Sequence, residues 1–117
     1  MALNNNGLNE MLDGLTGNVA FVSLHTSEPN ASGSNEVAGG SYARQSVTWG
    51  TATTGSVSAS DEPVFDVPGS TTVSWLGLWS AVTAGTFYGA LELTNPETFG
   101  GAGTLTMDEI TINVANV

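Results

Sequence analysis

The stretch TVSWLGLWS, residues 72–80, is the clearest strand in the chain. Successive side chains of a strand point to opposite faces, which puts Val73, Trp75, Gly77 and Trp79 on one side and Leu76 and Leu78 on the other. Both sides are apolar. A strand with that pattern lies centrally, between two layers, rather than on a wet surface. The turn TAG (83–85) and the apolar run TFYGALEL (86–93) follow it, so the two runs read as a β-hairpin.

Working outward, six further runs read as strands. NVAFVSLH (18–25) hardly alternates and is expected to be buried on both faces. YARQSVTW (42–49) places Val47 and Trp49 on one face and Arg44, Ser46 and Thr48 on the other. GSVSAS (55–60) alternates Val57 with Ala59, and Pro63 and Pro68 keep PVFDV (63–67) near an edge. TLTM (104–107) and ITINVANV (110–117) flank a turn at Asp108 and Glu109. Eight strands at this spacing predict an all-β fold, an antiparallel β-sandwich or jelly-roll-like domain covering residues 1–117.

One segment departs from the strand pattern. Leu8, Met11, Leu12 and Leu15 fall at i, i+3, i+4 and i+7, one face of a helix. Within the N-terminal segment 1–17 this predicts a short helix over about residues 5–14, capped by the Asn4–Asn6 cluster and ended by Gly14 or Gly17. Its apolar face is expected to cap the core, since packing is what sustains most short helices. The competing use is a face offered to a neighbouring subunit.

Composition narrows the function. The net charge is −10, with eleven acidic residues, no Lys, and Arg44 as the sole cationic side chain. Nucleic-acid binding needs cations to displace counterions from phosphate, so no nucleic-acid partner is expected, and anionic membrane surfaces are disfavoured for the same reason. No apolar run approaches the ~20 residues that span a bilayer. The N-terminus has neither the basic start nor the apolar stretch of a signal peptide, which predicts synthesis in the cytoplasm. Absent Cys rules out disulfides and thiolate chemistry.

The candidate site lies in the long segment 25–41, which carries no periodicity and many turn formers. A loop of that length in a small domain either binds something or is held by its neighbours. His25, the only imidazole, sits at the end of a buried strand. No G-x-S-x-G or H-E-x-x-H accompanies it, so it reads as a tie to loop backbone rather than as a catalytic base or metal ligand. Arg44 is expected to find a carboxylate, with Glu36, Glu28 and the Asp61–Glu62 pair as candidates, and to clamp loop against strand. The expected structural tie is His25, Glu36 and Arg44, with no catalytic residue, metal or cofactor. NAS at Asn30 matches a glycosylation acceptor, and nothing else supports that setting. Trp49, Trp75 and Trp79 read as core, against the alternative of a sugar-stacking platform.

LHTSEPN (24–30) followed by NEVAGGSYARQSVTW (35–49) resembles a family of small tailed-bacteriophage proteins usually labelled tail-fibre or minor tail proteins. The resemblance rests on Leu24, His25, Thr26, Pro29, Asn35, Glu36, Val37, Gly39, Gly40, Tyr42, Arg44, Val47 and Trp49, and extends to VSWLGLWS (73–80) with the strand after it. It implies a non-enzymatic virion structural protein made in the bacterial host. The length suits a small accessory subunit on the exterior of the head, as a capsid decoration or minor capsid protein, or on the tail. Its partners would be major capsid or tail subunits and copies of itself. Leu3, Leu8 and Met11, with the 25–41 loop, are the expected assembly contacts. The alternative function is a carbohydrate-binding module for host attachment.

Overall fold

The computed structural model describes residues 3–114. At the N-terminus Asn4 is extended, and its side-chain oxygen accepts a hydrogen bond from the Gly7 amide at 2.9 Å. With one free amide satisfied in this way, helix α1 runs from Asn5 to Thr16, two residues past the expected end. Gly14 is carried inside it, and the helix closes with the Gly17 amide on the Asp13 carbonyl and the Asn18 amide on the Leu15 carbonyl. Leu8 and Leu12 are buried, Leu15 is half-buried, and Met11 is 53% exposed. The helix is also pinned through polar side chains. Asp13 accepts from the Ala52 amide at 2.9 Å, and Asn9 from the Gly55 amide at 3.1 Å.

Eight strands follow: β1 (Phe21–His25), β2 (Gln45–Ser46), β3 (Ser56–Ser58), β4 (Val64–Val67), β5 (Thr71–Trp79), β6 (Phe87–Phe99), β7 (Gly103–Thr106) and β8 (Thr111–Asn113). Each overlaps a run expected to be a strand. The tail of the last run, residues 115–117, lies outside the described residues. One layer is a four-stranded antiparallel sheet in the order β2-β1-β5-β6. The other layer is divided into two separate antiparallel ribbons, β3-β8 and β4-β7. The core lies between the layers. Val22, Leu24, Leu76 and Leu78 come from the sheet, Val57, Phe65, Val67 and Ile112 from the ribbons, and Leu12 from the helix.

β5 is central and buried on both faces, but its alternation is broken. Val73 pairs with Glu97 and Trp75 with Glu92, so residues 93–96 of β6 stand opposite Ser74 alone. Such an irregularity bends a strand and re-aims its side chains. Val73, Leu76 and Leu78 therefore all enter the core, and Val73 is wholly enclosed. Trp75, expected in the core on the same face as Val73, is instead half-buried outside the core cluster. Trp79 is buried away from that cluster, and Gly77 is buried against Ser23 and His25. The sheet thus has a second face, covered by the segment around Gly33 and Ser34 and by Arg44.

Candidate functional site

That second face is polar beneath its cover. Ser23 and His25 lie on one side of β1, both fully buried, beside Gly77 of β5. A Cβ on Gly77 would overlap Ser23 Oγ and stand 2.5 Å from His25 Nε2. The absence of a side chain there lets the two polar groups lie under the sheet's cover.

After His25 the chain turns through Pro29 and Asn30 and returns to the strand it left. Ser34 N bonds Pro29 O at 2.8 Å, Thr26 N bonds Asn35 O at 3.0 Å, and Val37 N bonds Leu24 O at 2.9 Å. Asn30, Gly33 and Asn35 have φ of 60°, 75° and 65°, the left-handed region that Gly and Asn tolerate best. Gly33 lies flat on the Trp79 ring, where a Cβ would come within 2.5 Å of an aromatic carbon.

The buried polar atoms form a directed chain. Trp79 Nε1 donates to Ser23 Oγ at 2.8 Å, and Ser23 Oγ lies 2.6 Å from His25 Nε2. His25 Nδ1 lies 2.8 Å from the Ser34 carbonyl, which can only accept. Nδ1 must then carry the proton, and a neutral ring leaves Nε2 bare to accept from Ser23. Burial lowers the His25 pKa below 6.5, partly opposed by the Ser34 bond and by Glu36, which keeps the ring in that neutral form.

Arg44 closes the cover. Its Nε and Nη2 donate to the two oxygens of Glu36 at 3.0 Å each, and Nη1 donates to the Ala81 and Ala84 carbonyls at 3.1 and 2.9 Å. The guanidinium carbon sits 3.6 Å above the Trp79 ring centroid, a cation–π stack. Tyr42 completes the unit, with its hydroxyl donating to Glu36 at 2.7 Å and accepting from the Leu24 amide at 3.0 Å. The Arg44 and Glu36 side chains are 9% and 23% exposed. Burial alone would raise the Glu36 pKa, but the bonds from Arg44 and Tyr42 outweigh it and hold the carboxyl below its ordinary value. Burial, reinforced by the bond to Glu36, pushes the Tyr42 hydroxyl well above its ordinary value.

The structure therefore brings His25, Glu36 and Arg44 to one place, as a clasp on the 25–41 loop. Glu28, Asp61 and Glu62 are exposed and not bonded to Arg44, and Asp61 accepts from the Thr48 amide instead. Ser23, Gly33, Ser34, Tyr42, Gly77 and Trp79 belong to the clasp as well. Of these, only Tyr42 carried a signal in sequence: two residues before Arg44, it projects to the same side of an extended chain.

Chemically the clasp is closed. The Ser23–His25 pair has the spacing of a nucleophile and base, yet both residues are sealed from solvent and the ring's far nitrogen meets a carbonyl, not an orienting carboxylate. Four of Arg44's five donors are engaged, so no fork remains for an outside anion. Among the described residues no group of three His, Asp or Glu is placed to hold a metal ion. No described helix is long and apolar enough to cross a membrane.

Two of the three tryptophans are taken up by the fold. Trp79 lies beneath Arg44 and Gly33. Trp49 packs against the core and donates to the Val19 carbonyl at 3.0 Å. Of the expected assembly contacts, Leu8 is buried in the fold, Leu3 is half-buried against Gly7, and Met11 is open. Comparison with known proteins adds one finding. The family model described as Gp80, podophage GP4 fiber I protein gp80, matches residues 2–115. No curated protein matches.

Proposed function

The chain belongs to the podophage GP4 fiber I protein gp80 family and is in that sense a tailed-phage fibre structural protein; from that premise we propose that it is a non-enzymatic accessory subunit on the outside of the virion, carried on the tail rather than on the head shell. The observation that carries this reading is the use of the chain's only imidazole and only cation. Both are enclosed in a clasp whose work is to hold the 25–41 loop. What is left outward is an acidic surface, which suits a position away from packaged DNA.

The fibre description of the family favours the tail. The partners in this reading are tail subunits and neighbouring copies, with Met11 on the open side of α1 and Leu3 just ahead of the helix as contacts. Gold labelling of a tagged copy on purified particles tests the placement. Label at the tail is expected. Label over the shell would move the protein to the head, and unlabelled particles would remove it from the virion.

A further inference from the structure

The four-stranded sheet has two edges of very different character. β2 is two residues long, which leaves little to pair with. β6 spans thirteen residues, and β5 is its only strand partner among the described residues. Natural sheets blunt long edges with proline, bulges or charge. The far half of β6 has the first two, Pro96 and the irregularity at residues 93–96. The near half, residues 87–93, has no proline, and its one irregularity, at Tyr88, falls at its start; Gly89–Glu92 pair with β5 without a break, and Tyr88 is 39% exposed.

A groove of about 390 Å³ lies beside residues 91–94, where that near half ends. Leu91 and Leu93 line it from β6, Met107 and Ile110 from the segment between β7 and β8, and Glu92 and Glu109 stand in its wall. An adjoining cleft adds Glu97 and Asp108. No cation offsets these four carboxylates, because the chain's one Arg is held in the clasp.

We infer that the β6 edge at residues 87–93, with this groove, receives an extended segment of another virion protein that alternates apolar and basic side chains. Resting on the virion reading above, the inference names the partner's chemistry. Backbone pairing along β6 would supply affinity, and alternate side chains would enter the groove, as in strand addition generally. Charge decides the occupant. A second copy of this chain would bring acidic residues to an acidic edge and has no free cation to offer, whereas Lys or Arg on alternate positions would meet Glu92, Glu109, Glu97 and Asp108.

The test uses the full chain, isotope-labelled, with an octapeptide of alternating lysine and valine. Its controls are the same composition with the lysines in one block and an alternating glutamate–valine peptide. The alternating basic peptide is expected to bind roughly tenfold or more tighter than the blocked one, with amide shifts at residues 87–93 and 107–111. The variant E92K/E109K, whose positions are both exposed, should keep the fold by circular dichroism and weaken that binding roughly tenfold. It should also associate less with purified particles. Equal binding of the alternating and blocked peptides would reduce the effect to net charge and overturn the inference, as would shifts confined elsewhere. Failure of the wild-type chain to join particles would sink the virion reading. A wild-type chain that joins them, beside a variant that joins equally well, would overturn the β6 inference alone.

Discussion

Arg44 ties four acceptors and one aromatic face into a single unit, so its loss should be felt by everything it holds. Arg44→Ala would leave Glu36 partly buried without its cation and two carbonyls without a donor. The expected cost is about 2–4 kcal/mol, with faster hydrogen exchange across residues 26–43. Arg44→Lys should recover little of it, because an ammonium cannot form the two-pronged bond and the stack together. Denaturant melts and exchange on the two variants check this, and unchanged exchange in the loop would remove Arg44 from the clasp. His25 gives the pH dependence. Its folded pKa lies below 6.5, so the unfolded chain takes up the proton first. Stability is then complete above about pH 6.5 and falls as the pH drops toward the folded value. Glu36, lowered from its ordinary 4.5, adds a further loss as the pH falls through its own folded value. Both act in the same direction, so acid should loosen the loop. An NMR titration of the single imidazole should show a midpoint below 6.5, and a midpoint above it would contradict the neutral, enclosed ring.

Among the elements, β5 shows where pattern reading works and where it stops. Eight strands were legible because each carries its own alternation or apolar run. The break at Ser74 was not, because it belongs to the pairing of two strands and appears in neither alone. The far half of β6 lies beyond the expected run 86–93: Asn and Pro favour turns, yet Asn95 and Pro96 lie within the strand. The clasp was half legible. One cation in an acidic chain must find a carboxylate, and that pointed to Arg44 and Glu36. Ser23 and Trp79 meet across 56 positions, which no local pattern reports. The displacement of Trp75 has a measurable result. Trp75→Ala should cost about 1–2 kcal/mol, no more than Val73→Ala at about 2 kcal/mol, although the ring is far larger. A loss of ~4 kcal/mol at Trp75 would restore it to the core. On α1, Met11→Glu should leave the melting temperature nearly unchanged while reducing association with particles. Deleting residues 2–6 is a poorer test, since it also removes the Asn4 cap and so destabilises the helix by about 1 kcal/mol.

The whole molecule is elongated, about 46 × 27 × 25 Å, and carries a net charge of −10. Carboxylates confined to so small a body repel one another, and salt shortens the reach of that repulsion to about 10 Å at 0.1 M. Adding sodium chloride should therefore raise the melting temperature at neutral pH, by screening repulsion that is stronger in the folded than in the expanded chain. A melting temperature that falls with salt would mean that attraction at the clasp, not repulsion over the surface, dominates the molecule's electrostatics. The divided second layer bears on how the chain comes into being on the ribosome. The hydroxyls of Ser58 and Thr111 meet at 2.8 Å from 53 positions apart, and Val57 pairs with Ile112. At a synthesis rate of ~5–20 residues per second, the nascent β3 waits roughly 3–10 s for its partner. During that interval Val57 lacks the Ile112 side chain beside it, and the part of the core that the two share stays incomplete until β8 emerges.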